Sequence, residues 1–182
     1  MKKILFFTLF FVPLLASAEL VDRIVAIVSD EIITLSDVKK YKAPPKKDPL
    51  EELIRQKILL LEIDQLGIDV TNDDLANAIG EVLTRNRIQL EELKKELEKE
   101  GKGFEQYKQE LRTEIRKMKF LGQVIYPRIK VSEEEILRKL GKNPSDEDRI
   151  RARRQIVESR LNQELENYLD EVRQKTYIEI KK

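Results

Sequence analysis

The sequence predicts a mainly α-helical domain whose small sheet is built from the two ends of the chain. Between Pro49 and Val172 the apolar residues recur at three- and four-residue intervals, the signature of amphipathic helices. Breaks and caps punctuate that stretch at Asp48-Pro49, Gly67, Thr71, Gly101-Lys102-Gly103, Pro127, Gly141 and Asn143-Pro144. Only Val21–Thr34 and Thr176–Ile180 are short and β-branched enough to read as strands.

The first segment stands outside the fold. Lys2 and Lys3 precede the apolar run Ile4–Leu15, and Ala16-Ser17-Ala18 follows. Basic residues, an apolar run and an A-x-A site are the order of a secretory signal peptide. A run of twelve residues covers about 18 Å, short of a ~30 Å hydrocarbon core. Cleavage is expected after Ala18, so that the mature chain starts at Glu19, is exported, and makes no stable membrane insertion. No Cys follows the site, which excludes a lipid anchor there. Residues 19–182 are expected to form one domain, with 19–141 as its N-terminal helical region and 145–182 as the helix and strand that complete it.

Val21–Val28 reads as a strand, Ser29-Asp30-Glu31 as a polar turn, and Ile32-Ile33-Thr34 as a second strand. Ser36 is the expected cap of a brief helix from Asp37 to about Tyr41, followed by an exposed loop at Lys42–Lys47. Asp48 caps a helix with Pro49 at its first position, Glu51 three residues on, and Gly67 past its end. That helix carries Leu50, Leu53, Ile54, Ile58 and Leu61 on one side and Leu59, Ile63 and Leu66 on the other, so it should be central. Thr71 with Asp74 opens the next helix, and Leu90, Leu93 and Leu97 mark a third. Phe104, Tyr107, Leu111, Ile115, Met118 and Ile125 form the core stripe of a fourth, running to Pro127. Ser132 with Glu135 is a capping box for a short helix closing at Gly141. The last helix places Ile150, Val157, Leu161, Leu165, Tyr168 and Val172 on one face, and Thr176–Ile180 is a terminal strand.

Composition narrows the chemistry. The 182 residues hold 35 Lys and Arg against 34 Asp and Glu, with no Cys, no His and no Trp. Without Cys there is no disulfide framework, thiol nucleophile or Cys-ligated metal. Without His, triad hydrolases and zinc hydrolases go as well. A net charge of +1 gives no electrostatic reason to expect nucleic acid. The acidic runs at Asn72-Asp73-Asp74, Glu133-Glu134-Glu135 and Asp146-Glu147-Asp148 fall in first helical turns, where carboxylates cap and complement the dipole. None has calcium-loop spacing. The basic clusters Arg149–Arg154 and Arg112/Arg116/Lys117/Lys119 are interleaved with Glu and read as solvated helix faces with i,i+4 pairs. No metal or cofactor is expected. The 38% charged content resembles the ion-pair networks of heat-adapted proteins.

Several segments, in order, resemble the SurA-type periplasmic chaperones. Val21–Asp37 resembles that family's opening strand pair and its I-T-x-S-D helix start. Gly67–Leu75 is similar to its L-G-I-x-V-S-D-E-E-L junction, Phe104–Arg112 to its F-x-x-Y-R-x-x-L-R helix, and Ile129–Ile136 to its I-x-V-S-x-x-E-I continuation. Tyr177-Ile178-Glu179-Ile180 is similar to its closing strand. The resemblance implies a SurA N-terminal-like helical domain closed by a C-terminal helix and strand, an architecture also shared with trigger-factor arms. One departure matters. The parvulin prolyl-isomerase domains that usually stand between the short helix and the last one have no room between Gly141 and Ser145. The histidines on which a parvulin site relies are missing too. Ser29 stands in the first turn where Asn is commoner.

What the resemblance implies is a non-enzymatic periplasmic holdase. Its partners would be unfolded polypeptides, outer-membrane β-barrel proteins foremost, held weakly by aliphatic helical walls. The alternatives are an isomerase-related foldase and an assembly subunit with one fixed partner. The expected client-contacting residues are Phe120, with Leu121 beside it, and Val124 one turn on, at about 100° per residue roughly opposite the Leu111 stripe. The competing expectation for Phe120 is a core position in a helix buried on both sides.

Overall fold

The computed structural model describes residues 22–141 and 143–181; the expected signal peptide, with Ala18 and Glu19, and Val21 lie outside them. β1 (Ile24–Val28) and β2 (Glu31–Thr34) form an antiparallel hairpin. β3 (Ile178–Ile180) pairs antiparallel with the other side of β1, so the sheet order is β2-β1-β3. Both ends of the helical chain therefore meet in one sheet, as the sequence predicts. The tight turn holds Ser29 at φ 55°, in the left-handed region.

Around the sheet stand α1 (Leu35–Lys40), α2 (Pro49–Gln65), α3 (Asn72–Asn86), α4 (Leu90–Lys99), α5 (Phe104–Phe120), α6 (Glu133–Leu140) and α7 (Asp146–Arg173). Thr34 rather than Ser36 caps α1. Its hydroxyl accepts from the Asp37 N–H while the Asp37 carboxylate accepts from the Thr34 N–H, a full capping box. The same reciprocal pair, Thr71 and Asp74, opens α3 as expected. Ser132 supplies only half a box to α6, because Glu135 turns its carboxylate to Arg160 instead.

α2 is the central helix, touching β1, β2, α1, α5 and α7. Ile54 and Ile58 meet Ala26, Val28 and Ile33 of the sheet, and Ile63 on its other side enters a second core with Ile68, Phe120 and Ile125. Its last turn carries no basic residue. α5 supplies the missing positive charge: Arg116 donates to the Ile68 carbonyl at 2.9 Å and pairs with Asp64, and Lys119 donates to the Asp69 carbonyl at 3.0 Å. The basic cluster on α5 is thus a tertiary tie more than a row of i,i+4 pairs.

Three stripe positions depart from expectation. Leu66 is 48% exposed, Met118 62% and Ile150 64%, although the spacing groups each with apolar residues that pack inward. The regular α5 helix also stops at Phe120, seven residues short of Pro127. Leu121–Ile125 form a π-helical turn and Tyr126–Arg128 a 3₁₀ turn.

Candidate functional site

The π turn decides where the expected contact residues go. In a regular helix Val124 would stack over Phe120, four residues on. Here the Tyr126 N–H donates to the Leu121 carbonyl, an i→i+5 step, so Ile125 stacks over Phe120 instead. Phe120 and Ile125 are both 0% exposed. Phe120 meets Tyr168 of α7 edge-on, ring centroids 5.6 Å apart. Phe120 is therefore a core residue and lines no open wall, which answers the first of the two expectations. Leu121 and Val124 are displaced to the flank of that core, half-buried, against the same cluster as Leu161 and Leu165.

α7 uses opposite faces along its length. Its C-terminal half buries Leu165, Tyr168, Leu169 and Val172 against the sheet, α2 and the Phe120 core. Its N-terminal half packs Ala152 and Ile156 on Ile136 of α6, with Val131 beside them, as a small separate core. At about 100° per residue Ile150 lies about 200° from Ala152, but within about 20° of Leu161 and Tyr168. The stripe that grips the body thus continues past it. Leu161 and Val157 are half-buried, and Ile150 is open. With Leu121 and Val124 at its foot, this makes an apolar strip whose far end is uncovered by any described residue.

Ion pairs and hydrogen bonds hold the arm of α6 and α7 that carries the strip. Arg149 pairs with Glu133, and Arg160 pairs with Glu135 while donating to the Lys130 carbonyl at 2.8 Å. At the root, Arg128 lies over the Tyr168 ring, 4.8 Å from its centroid, and donates to Glu164 at 2.9 Å and Glu171 at 3.0 Å. The Tyr168 hydroxyl donates to Glu62 of α2. Burial first, and then that hydrogen bond to a carboxylate, push the Tyr168 phenol up to about 12. Each half-exposed ion pair contributes about 0–1 kcal/mol, so their number, more than any one, fixes the arm. The site offers apolar contact and nearby charge. α6 and α7 are joined directly through residues 141–145, and among the described residues no domain stands between them.

Comparison with known proteins follows the same outline. The model of the SurA N-terminal domain matches residues 42–120, from the loop before α2 to the last residue of α5. Chaperone SurA of Bordetella pertussis is 29% identical over 75% of this chain, and that of Bordetella avium 30% identical over 70%. The chain spans 30% and 29% of the lengths of these relatives. A solved chain from work on two structurally related SurA-like chaperones of Campylobacter jejuni superposes with a TM-score of 0.68. It is 17% identical, and the match covers 88% of this chain and all of that one. The shared fold extends well beyond the segment that the family model matches. The chain is SurA-like, and its residues 42–120 carry a SurA N-terminal domain.

Proposed function

We propose that this protein is an exported, periplasmic molecular chaperone that holds unfolded polypeptides, outer-membrane β-barrel precursors among them, without catalysing isomerisation. The carrying observation is the α7 stripe, fixed to the body at Tyr168 and Leu165 yet open at Ile150. An aliphatic strip on a braced arm suits weak contact with many apolar sequences, because burial is non-directional and scales with area. Leu121 and Val124 serve as the inner end of that surface. The relatives named Chaperone SurA support the role, and the absence of histidine from the sequence argues against a parvulin-type site.

Ile150→Ser combined with Val157→Ser tests it. Suppression of aggregation of a urea-denatured outer-membrane protein should fall several-fold, with little change in melting temperature. Moderate salt should hardly alter binding by the unchanged protein, whose net charge is near zero. Unaltered suppression by the double variant would place client contact elsewhere. Purification from the native cell should give a mature N-terminus at Glu19; a Met1 terminus would remove the periplasmic assignment.

A further inference from the structure

β3 is an edge strand, and its ladder shows which backbone groups remain unused. The Ser29 N–H donates to the Tyr177 carbonyl at 2.8 Å and the Lys181 N–H to the Val25 carbonyl at 2.9 Å, with Glu179 opposite Ile27 between them. In an antiparallel pair alternate residues make the bonds. Tyr177, Glu179 and Lys181 therefore face β1, and the N–H and C=O groups of Ile178 and Ile180 point away from it. Among the described residues no strand lies on that far side.

The side chains beside this edge also alternate. Ile178 packs on the core, and Ile180, 49% exposed, lies on the same sheet face. Tyr177, Glu179 and Lys181 share the opposite face, which carries both signs of charge and is open to water at Tyr177. A strand laid along β3 would set every second side chain beside isoleucines and the others beside polar groups.

We propose that the free edge of β3 accepts, as a fourth strand, an extended segment of unfolded polypeptide in which apolar and polar side chains strictly alternate. This rests on the chaperone reading above and names the kind of segment selected. Main-chain hydrogen bonds to Ile178 and Ile180 would give sequence-tolerant binding, and the two unlike faces would give the alternation preference. β3 is short and followed by Lys181, features that discourage indiscriminate edge pairing, so a fitting segment is held weakly.

The test uses the full chain and a capped nine-residue peptide alternating valine with threonine and glutamate, beside a scramble with contiguous valines. Amide exchange at Ile178 and Ile180 should slow about tenfold with the alternating peptide and stay unchanged with the scramble. Ile180→Pro removes an outward N–H while sparing the ladder through Glu179 and Lys181, so it should weaken peptide binding about tenfold with the fold intact. Unprotected amides in the unchanged protein, or undiminished binding by a folded Ile180→Pro, would overturn the proposal. Should Ile180→Pro fail to fold, the exchange result decides alone. Protection of the same amides by concentration-dependent self-association, without peptide, would assign the edge to a second copy and overturn it too. Aggregation suppression is measured in parallel. If it persists while the edge stays unprotected, only the edge inference falls; if it is absent, the chaperone reading falls.

Discussion

Replacing Phe120 with alanine separates core from contact surface. The ring is wholly buried among Ile63, Ile68 and Ile125 and meets Tyr168 edge-on. Those neighbours sit on α2, the loop after it, the π turn and α7, so few can collapse into the vacated space without moving a helix. The expected loss is about 3–5 kcal/mol, against a total stability of about 5–15 for a typical domain. For a chain of this size each kcal/mol moves the melting temperature by about 2–4 °C, so the drop should be about 6–20 °C. Urea unfolding followed by circular dichroism gives the free energy, with an unchanged slope confirming the same two states. Below both melting temperatures, aggregation suppression per folded molecule should match the unchanged protein. A loss under about 0.5 kcal/mol, the range of ordinary surface substitutions, would refute the burial argument. So would impaired suppression with stability intact, which would return Phe120 to the client surface.

Other perturbations report on other parts of the fold. Ser29→Gly should raise the melting temperature by about 2–4 °C, because glycine accepts the left-handed φ of 55° that costs an L-residue about 1 kcal/mol or more; an unchanged or lower melting temperature counts against strain there. Lys119 first, and then Thr71, hold the Asp74 carboxyl down at about 2 from 3.8, so its stabilising effect is present above 3.8 and is lost as pH falls toward 2. Asp74→Asn should flatten the stability profile across that window, and a profile identical to the unchanged protein would deny the Lys119 contact. Ending the chain after Thr176 should lower the melting temperature clearly, since β1 loses one of its two partners and the core loses Ile178; unchanged melting would make β3 dispensable.

Helix termini were legible in the sequence because their signals are local. Asp48-Pro49, Thr71/Asp74 and Gly141 sit where their hydrogen-bonding or φ preferences place them. The first cap shows the limit: Thr34 and Ser36 are both good caps, and only Thr34 has an acid three residues on. The π turn left no such mark. A 3.6-residue template groups Phe120 with Val124, and one i→i+5 bond is enough to exchange Val124 for Ile125 in the core. On α7 the stripe itself was legible, but not what covers it. Ile150 and Tyr168 share a face by arithmetic, yet only the tertiary arrangement ends the body before Ile150. Met118 departs from its stripe for the same reason, as periodicity reports which residues align and not how far the neighbouring helix extends. The candidate surface is therefore half visible in the sequence: Leu121 and Val124 are expected contacts there, while Ile150 and Val157 are legible only as members of the one apolar face of α7.

The pairing of β1 with β3 also determines how the molecule meets a pulling force. The outer end of β1, at Val25, lies beside the outer end of β3, where the Lys181 N–H reaches the Val25 carbonyl. Tension applied at those two ends acts along the hydrogen bonds, which lie perpendicular to the strands, and loads them one after another. The sheet then opens as a zip does, beginning at the Lys181–Val25 bond and ending at the Ser29–Tyr177 bond. Shearing the same strands along their length would have to break every bond together. Tension between the two ends therefore parts this seam one bond at a time and removes the sheet closure of the helical body.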